Sequence, residues 1–240
     1  MEINGNYDYV DKYSDGLAHV ALNNKHGYID ETGKEIIPLI YDLACDFLKG
    51  MARVNKNCKW GFIDKTGNVK IPLIFDYVEN FREEIAVAQI DNKYGLINKE
   101  GEKIIIFEYE DADNFSEGLA GMKLNGKWGF LNEKGKVVIP FEYDRVGPFS
   151  EGLAYVDLDD KTGFIDKSGK VVIPLIYDNA DIFQEGLACV EIDGEYGFID
   201  KSGKVVIPLM YEYADNFSCG VTSVKLDGEW ITIDKNGNIK

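Results

Sequence analysis

The spacing of glycine constrains this chain more than any other feature. One glycine recurs at Gly27, Gly61, Gly95, Gly129, Gly163 and Gly197, and a second at Gly33, Gly67, Gly101, Gly135, Gly169, Gly203 and Gly237; every step is 34 residues, without insertion. A period of that length, kept in register over 240 residues, marks a tandem repeat in which each copy is one supersecondary unit that buries its apolar faces against its neighbours. A single domain over 1–240 follows. Its units run 25–58, 59–92, 93–126, 127–160, 161–194 and 195–228, with half-units at 1–24 and 229–240.

Turn chemistry assigns the elements within a copy. The β-rich run from Leu153 to Leu158 leads into Asp159-Asp160, and other copies carry Asn125-Gly126, Asp193-Gly194 and Asp227-Gly228 there. Such dipeptides accept the positive φ of a two-residue hairpin turn. The next strand is Lys161 to Asp166, and Asp166-Lys167-Ser168-Gly169 then reverses the chain with the glycine in the left-handed region. By the period, Gly33, Gly67, Gly101, Gly135, Gly203 and Gly237 are expected to be structural turn glycines of the same kind. A third strand over 170–173 is expected to stop at Pro174, which has no N–H for a ladder. Residues 143–150 alternate apolar positions and suit a short fourth strand. No window has helical apolar spacing with caps, so the fold class is all-β.

Two assemblies compete. In a seven-bladed β-propeller each copy is a blade; in an open β-solenoid the hairpins simply stack. Strands apolar on both faces, such as Leu153–Leu158, suit blades packed on both sides. The strand and turn order resembles that of WD-repeat blades. The half-units at 1–24 and 229–240 are complementary, so a propeller closed by pairing the N- and C-terminal halves is the expected form.

The motifs KWGFIDKTG (59–67), FSEGLA (115–120) and KVVIP (136–140) make the chain similar to the WG-repeat family of bacterial proteins, named for the dipeptide at Trp60-Gly61 and Trp128-Gly129. The Trp column departs to His26, Tyr94, Thr162 and Tyr196; Ile231 follows Trp230 where glycine is expected, and Ile106 replaces a proline. The resemblance implies the repeat and no particular activity.

With 42 acidic against 26 basic residues the formal charge is −16, which disfavours nucleic acid and anionic membrane and favours a basic partner. Cys45, Cys58, Cys189 and Cys219 neither recur with the repeat nor show ligand spacing, which suits reduced thiols. The first residues, MEINGNYD, lack a basic segment followed by an apolar one, and no run reaches the length of a membrane helix. A cytoplasmic monomer is the expectation.

Seven carboxylates occupy one column: Asp8, Asp42, Asp76, Glu110, Asp144, Asp178 and Glu212. They suit either side chains that tie turns to backbone N–H groups or a charged ring facing a basic protein. No basic column is seen to oppose them. Asp11, Glu79, Asp113, Asp181 and Asp215 form a patchier acidic column, broken by Cys45 and Gly147. Two aromatic columns, Tyr7 to Tyr211 and Tyr13 to Phe217, suit wedges between copies, or platforms for sugars. With His19 and His26 the only histidines, no catalytic constellation, metal site or cofactor motif is found. The expected function is therefore a non-enzymatic scaffold for a basic protein, with an immunity- or inhibitor-like role as one form; a lectin-like carbohydrate module is the alternative.

Overall fold

The computed structural model describes residues 7–82 and 84–240. Residues 1–6, which carry the reading of the N-terminal segment and open the 1–24 half-unit, lie outside the described residues. The chain divides into two compact units, 1–108 and 109–240.

Each unit is built from antiparallel meanders. A typical one contains Arg145–Val146, Leu153–Leu158, Lys161–Asp166 and Val171–Tyr177, hydrogen-bonded in chain order. The first unit carries sheets beginning at Tyr9, Leu43 and Tyr77, and the second carries sheets beginning at Asp111, Arg145, Asn179 and Tyr213. The short fourth strand anticipated at 143–150 is Arg145–Val146, which opens its own sheet by pairing with Asp157 and Val156.

The two expected turns form. Asp159 and Asp160 both have positive φ, as do Asn23 with Asn24 and Asp91 with Asn92. The turn glycines Gly33, Gly67, Gly101, Gly135, Gly169, Gly203 and Gly237 all take the left-handed region, with φ between 70° and 86°. At Gly169 the Asp166 carboxylate accepts the N–H groups of Ser168 and Lys170, and the Gly169 N–H donates to the Asp166 carbonyl at 2.9 Å. The N–H groups of Gly33, Gly67, Gly101, Gly135, Gly203 and Gly237 close the same turn on the carbonyls of Asp30, Asp64, Asn98, Asn132, Asp200 and Asp234.

One expectation needs correction. The third strand does not stop at Pro174 but runs from Val171 to Tyr177. It is the edge strand of its sheet, so the missing N–H leaves no ladder partner unpaired. Its register shifts between the pairs Phe164–Ile173 and Thr162–Tyr177, which carries the proline backbone over Gly163. A Cβ on Gly163 would stand 2.6 Å from the Ile173 carbonyl oxygen, and equivalents at Gly27, Gly61, Gly129 and Gly197 meet backbone as closely. This close approach is the reason for glycine after the aromatic residue. Ile231 stands at this position in the last sheet, which among the described residues has three strands and ends in a single bridge, Ile233 to Ile239.

The pairing of the two half-units turns in part on residues 1–6 and so lies outside the described residues. Residues 1–24 and 229–240 do not share a sheet among the described residues. Tyr9–Ser14 and Leu17–Leu22 pair within a complete four-stranded sheet, while Glu229–Asp234 pairs with Val221–Leu226. Hairpin pairing across a two-residue turn is local, so these strands pair with their nearest neighbours in sequence.

The core lies between consecutive sheets. Val146, Phe149, Ala154, Val156 and Ile165 pack on Leu119, Phe130, Ile139 and Tyr143 of the preceding sheet. Phe130 meets Phe149, and Phe164 meets Phe183, edge to face at 5.0 and 4.9 Å. Each such ring contributes about 2–3 kcal/mol of burial, offset by ordering the chain. The aromatic columns are therefore wedges: Tyr41, Phe75, Tyr143, Tyr177 and Tyr211 in one, and Phe47, Phe115, Phe149, Phe183 and Phe217 in the other, are all buried. Tyr13 is exposed.

Candidate functional site

The acidic column meets the hairpin turns. Asp42 accepts the Asn57 N–H at 2.7 Å, Asp76 that of Asp91 at 2.7 Å, Asp178 that of Asp193 at 2.8 Å, and Asp8 that of Asn23 at 2.8 Å. Asp144 makes a longer bond to Asp159, 3.3 Å. Glu110 and Glu212 reach one residue further, to the N–H groups of Gly126 and Gly228 at 2.9 and 2.7 Å. The extra methylene of glutamate thus selects the second turn residue instead of the first.

A basic column does oppose these carboxylates, contrary to expectation. Lys25, Lys59, Lys127 and Lys161 donate to the second oxygens of Asp42, Asp76, Asp144 and Asp178. These pairs are solvated, and the lysine bond, with the turn N–H second, holds the four carboxyls below the usual range. The lysine repeat breaks at Glu195, which stands where a lysine would face Glu212. Glu212 instead takes Lys225 at 3.1 Å.

Another set of contacts was invisible within one copy. Ser116 and Ser150 donate through Oγ to the carbonyls of Phe149 and Phe183 in the next sheet, both at 2.6 Å. Glu117, Glu151 and Glu185 accept the N–H groups of Gly152, Gly186 and Gly220 one copy on, and pair with Lys167, Lys201 and Lys235. The FSEG motif is thus a latch between sheets as well as a turn. Its partners lie 33 to 50 residues away, so no local pattern announces them.

Against this constant framework one column differs in every copy: His19, Arg53, Val87, Gly121, Tyr155, Cys189 and Ser223. It lies opposite the patchy acidic column, the Asp181 N–H donating to the Cys189 carbonyl at 3.0 Å. In the second unit two of these residues, Tyr155 and Cys189, border a pocket of about 230 Å³. Tyr155, Tyr196 and Tyr213 wall it, Asp181 and Glu191 supply carboxylates, and Arg145 lies at its margin. The space exists because small side chains, Ala180, Cys189 and Ala214, sit among tall ones.

The Tyr196 and Tyr213 rings lie 5.5 Å apart and inclined at 45°, forming a corner. Arg145 is already engaged: Nε donates to Asp157, Nη2 donates to Asn179 at 2.9 Å, and its guanidinium covers the Tyr155 ring at 5.4 Å. Burial pushes the Cys189 thiol up to about 12 and raises the Tyr155 and Tyr196 phenols, so these walls are neutral near pH 7. Chemically the pocket offers aromatic faces and carboxylates. Among the described residues, no group of three or more His, Cys, Asp or Glu side chains is arranged to hold a metal ion.

This is an all-β tandem-repeat protein of four-stranded antiparallel sheets with a small polar-aromatic pocket in its second unit. The chain belongs to the family described as WG containing repeat, whose pattern matches residues 27–60, 60–94, 94–128, 128–161, 163–196 and 196–230. No curated protein matches it. Among solved structures it is similar to Hsv2p of Kluyveromyces lactis, with 10% identity over 95% of this chain and 93% of that one and a TM-score of 0.50. It is also similar to Hsv2 of Kluyvelomyces marxianus, at 10% identity over 94% and 92% with a TM-score of 0.46. A eukaryotic initiation factor matches at 11% identity over 100% and 88%, with a TM-score of 0.42. At such identities the likeness concerns fold.

Proposed function

We propose that this chain is a non-enzymatic binding scaffold for a basic protein partner. One observation carries the reading: two members of a column unlike in all seven copies, Tyr155 and Cys189, border a pocket within a framework whose turns, latches and wedges repeat. Side chains that held the fold would repeat with it. The net charge of −16 supports a basic partner, since surplus carboxylates attract and steer positive surfaces. The acidic column contributes to that field only in part, because lysines pair with five of its members.

A seven-bladed ring remains our reading of the whole. Its support is the first sheet, where Ala18, Val20 and Ile29, on the face away from the second sheet, are fully buried at 0%. The open array has its own support in the last sheet, where Thr232 is exposed at the position that buries Tyr28, Phe130, Phe164 and Phe198 in other sheets. The carbohydrate alternative loses the platforms it was built on, because most of the repeated aromatic faces are buried between sheets.

The test is affinity capture from the native host with the wild-type chain and with Tyr155→Ala/Tyr213→Ala, followed by salt elution. A basic protein that elutes as salt rises and is lost from the variant is the expected result. Equal capture by both chains, or capture of acidic proteins alone, would overturn the reading.

A further inference from the structure

The repeat supplies an internal comparison for the pocket. Four copies upstream, Arg53 stands at the position of Cys189, Trp60 at that of Tyr196, Val78 at that of Ala214 and Glu79 at that of Asp215. There the space is filled by a guanidinium. Arg53 stacks over the Trp60 ring at 5.0 Å, donates through Nη1 to the Val78 carbonyl, and lies 3.9 Å from the Glu79 carboxylate. In the second unit the side chain ends at Cys189 Sγ, which reaches the Ala214 carbonyl at 3.7 Å, and the room beyond it belongs to the pocket. Two elements that seat the guanidinium are kept, an aromatic face in Tyr196 and a backbone carbonyl at Ala214, and the carboxylates here are Asp181 and Glu191, which stand where the upstream copy has Cys45 and Asn55.

We propose that this pocket binds a guanidinium group, the arginine side chain of a basic partner, seated as Arg53 is seated in its own copy. The inference rests on the scaffold reading and names the chemistry of its contact. Charge favours it. The one cation at the margin, Arg145, is held by Asp157 and Asn179, while Asp181 accepts the Ile182 N–H and Asn216 Nδ2 and Glu191 accepts the Gly194 N–H, neutral donors that leave the negative charge of both to attract a ligand. Shape favours it as well, because a planar guanidinium stacks on the Tyr196 face while its N–H fork reaches carbonyl and carboxylate together. At about 230 Å³ the pocket falls short of the roughly 300–1,000 Å³ that drug-sized ligands occupy, and suits a side chain. The carboxylates also select the source. A free amino acid would bring its own α-carboxylate against Asp181 and Glu191, whereas a residue within a chain brings none.

Calorimetric titration of the whole chain with N-acetyl-arginine methylamide, its neutral citrulline isostere and free arginine tests this. The arginine amide is expected to saturate a single site, with the citrulline compound at least about tenfold weaker and free arginine weaker than the amide. Tyr196→Leu should weaken the amide about 5- to 30-fold. Cys189→Arg, which supplies the chain's own guanidinium, should abolish binding; if it fails to fold, Asp181→Asn/Glu191→Gln reads the same point. Arg53→Ser is the positive control, since it empties the upstream seat and methylguanidinium should raise its Tm. Equal binding of the citrulline compound, or no saturable binding by the wild type, overturns the proposal. Tighter binding of free arginine than of the amide overturns the assignment to a partner. A captured basic protein still held by Cys189→Arg would overturn the pocket and leave the scaffold reading standing.

Discussion

Gly163 lies directly beneath the Ile173 carbonyl, so close that a Cβ would stand 2.6 Å from that oxygen. The obstacle is backbone in a neighbouring strand and not the end of a flexible side chain. Gly163→Ala should therefore cost about 3 kcal/mol or more, the upper range for overpacking a tight site, measured by urea denaturation. Ile231→Gly, at the equivalent position that no strand among the described residues crosses, should bring no gain beyond about 1 kcal/mol. A neutral Gly163→Ala would mean the edge strand does not lie where Val171–Tyr177 is described.

Asp42, Asp144 and Asp178 each join a lysine to a hairpin turn. Changing all three to Asn keeps an acceptor for the turn N–H and removes the charge that engages the lysine. The Tm should fall modestly at low salt, and the difference from wild type should shrink as salt screens exposed charge. Thermal melts at two ionic strengths check this. A loss independent of salt would show that the turn bond alone carries the stabilisation.

His19 Nε2 and His26 Nδ1 share a hydrogen bond of 2.7 Å between stacked rings. Burial first, and then His26, lowers the His19 pKa; the carboxylates of Asp46 and Asp11 oppose this, and the rings of Tyr9 and Tyr28 pack nearby. With the folded value below the ordinary 6.5, the unfolded chain takes the proton first. This contribution is present above about pH 6.5 and is lost as pH falls from there through the folded value. His19→Val, the residue that stands at position 87 of the same column, should flatten the fall in Tm between about pH 7 and 5. Aspartates such as Asp64 act lower. With its carboxyl held at about 2, mainly by the Thr66 hydroxyl, its contribution is full above about pH 4 and fades toward 2. An unchanged pH profile in His19→Val would assign the neutral-range loss elsewhere.

Deleting residues 127–160 removes one period and rejoins like with like. A ring would have to close with one blade fewer at new angles, so the product should lose several kcal/mol or aggregate. An open array would lose one pair of stacked faces and keep a cooperative transition. Urea melts of the purified deletion chain distinguish the two.

What could be read from sequence alone was what the chain decides within a few residues. Asn125-Gly126 and Asp159-Asp160 turn because their backbones accept positive φ, and Gly169 does so behind the Asp166 carboxylate. The 34-residue register and the aromatic wedges were legible because each copy repeats the same local chemistry, and the family pattern falls on the same period. Tertiary structure decided whatever joins positions distant in the chain. Ser150 reaches Phe183, Glu151 reaches Gly186 and Lys201, and Lys161 reaches Asp178; a perfect period makes such partners look like members of the same copy. It also decided that the strand passes through Pro174, since only an edge position frees a residue from donating to a ladder. The pocket belongs to this second kind. Cys189 carries no motif, and its meaning comes from three tyrosines on three different sheets that close packing brings around a side chain too small to fill the space.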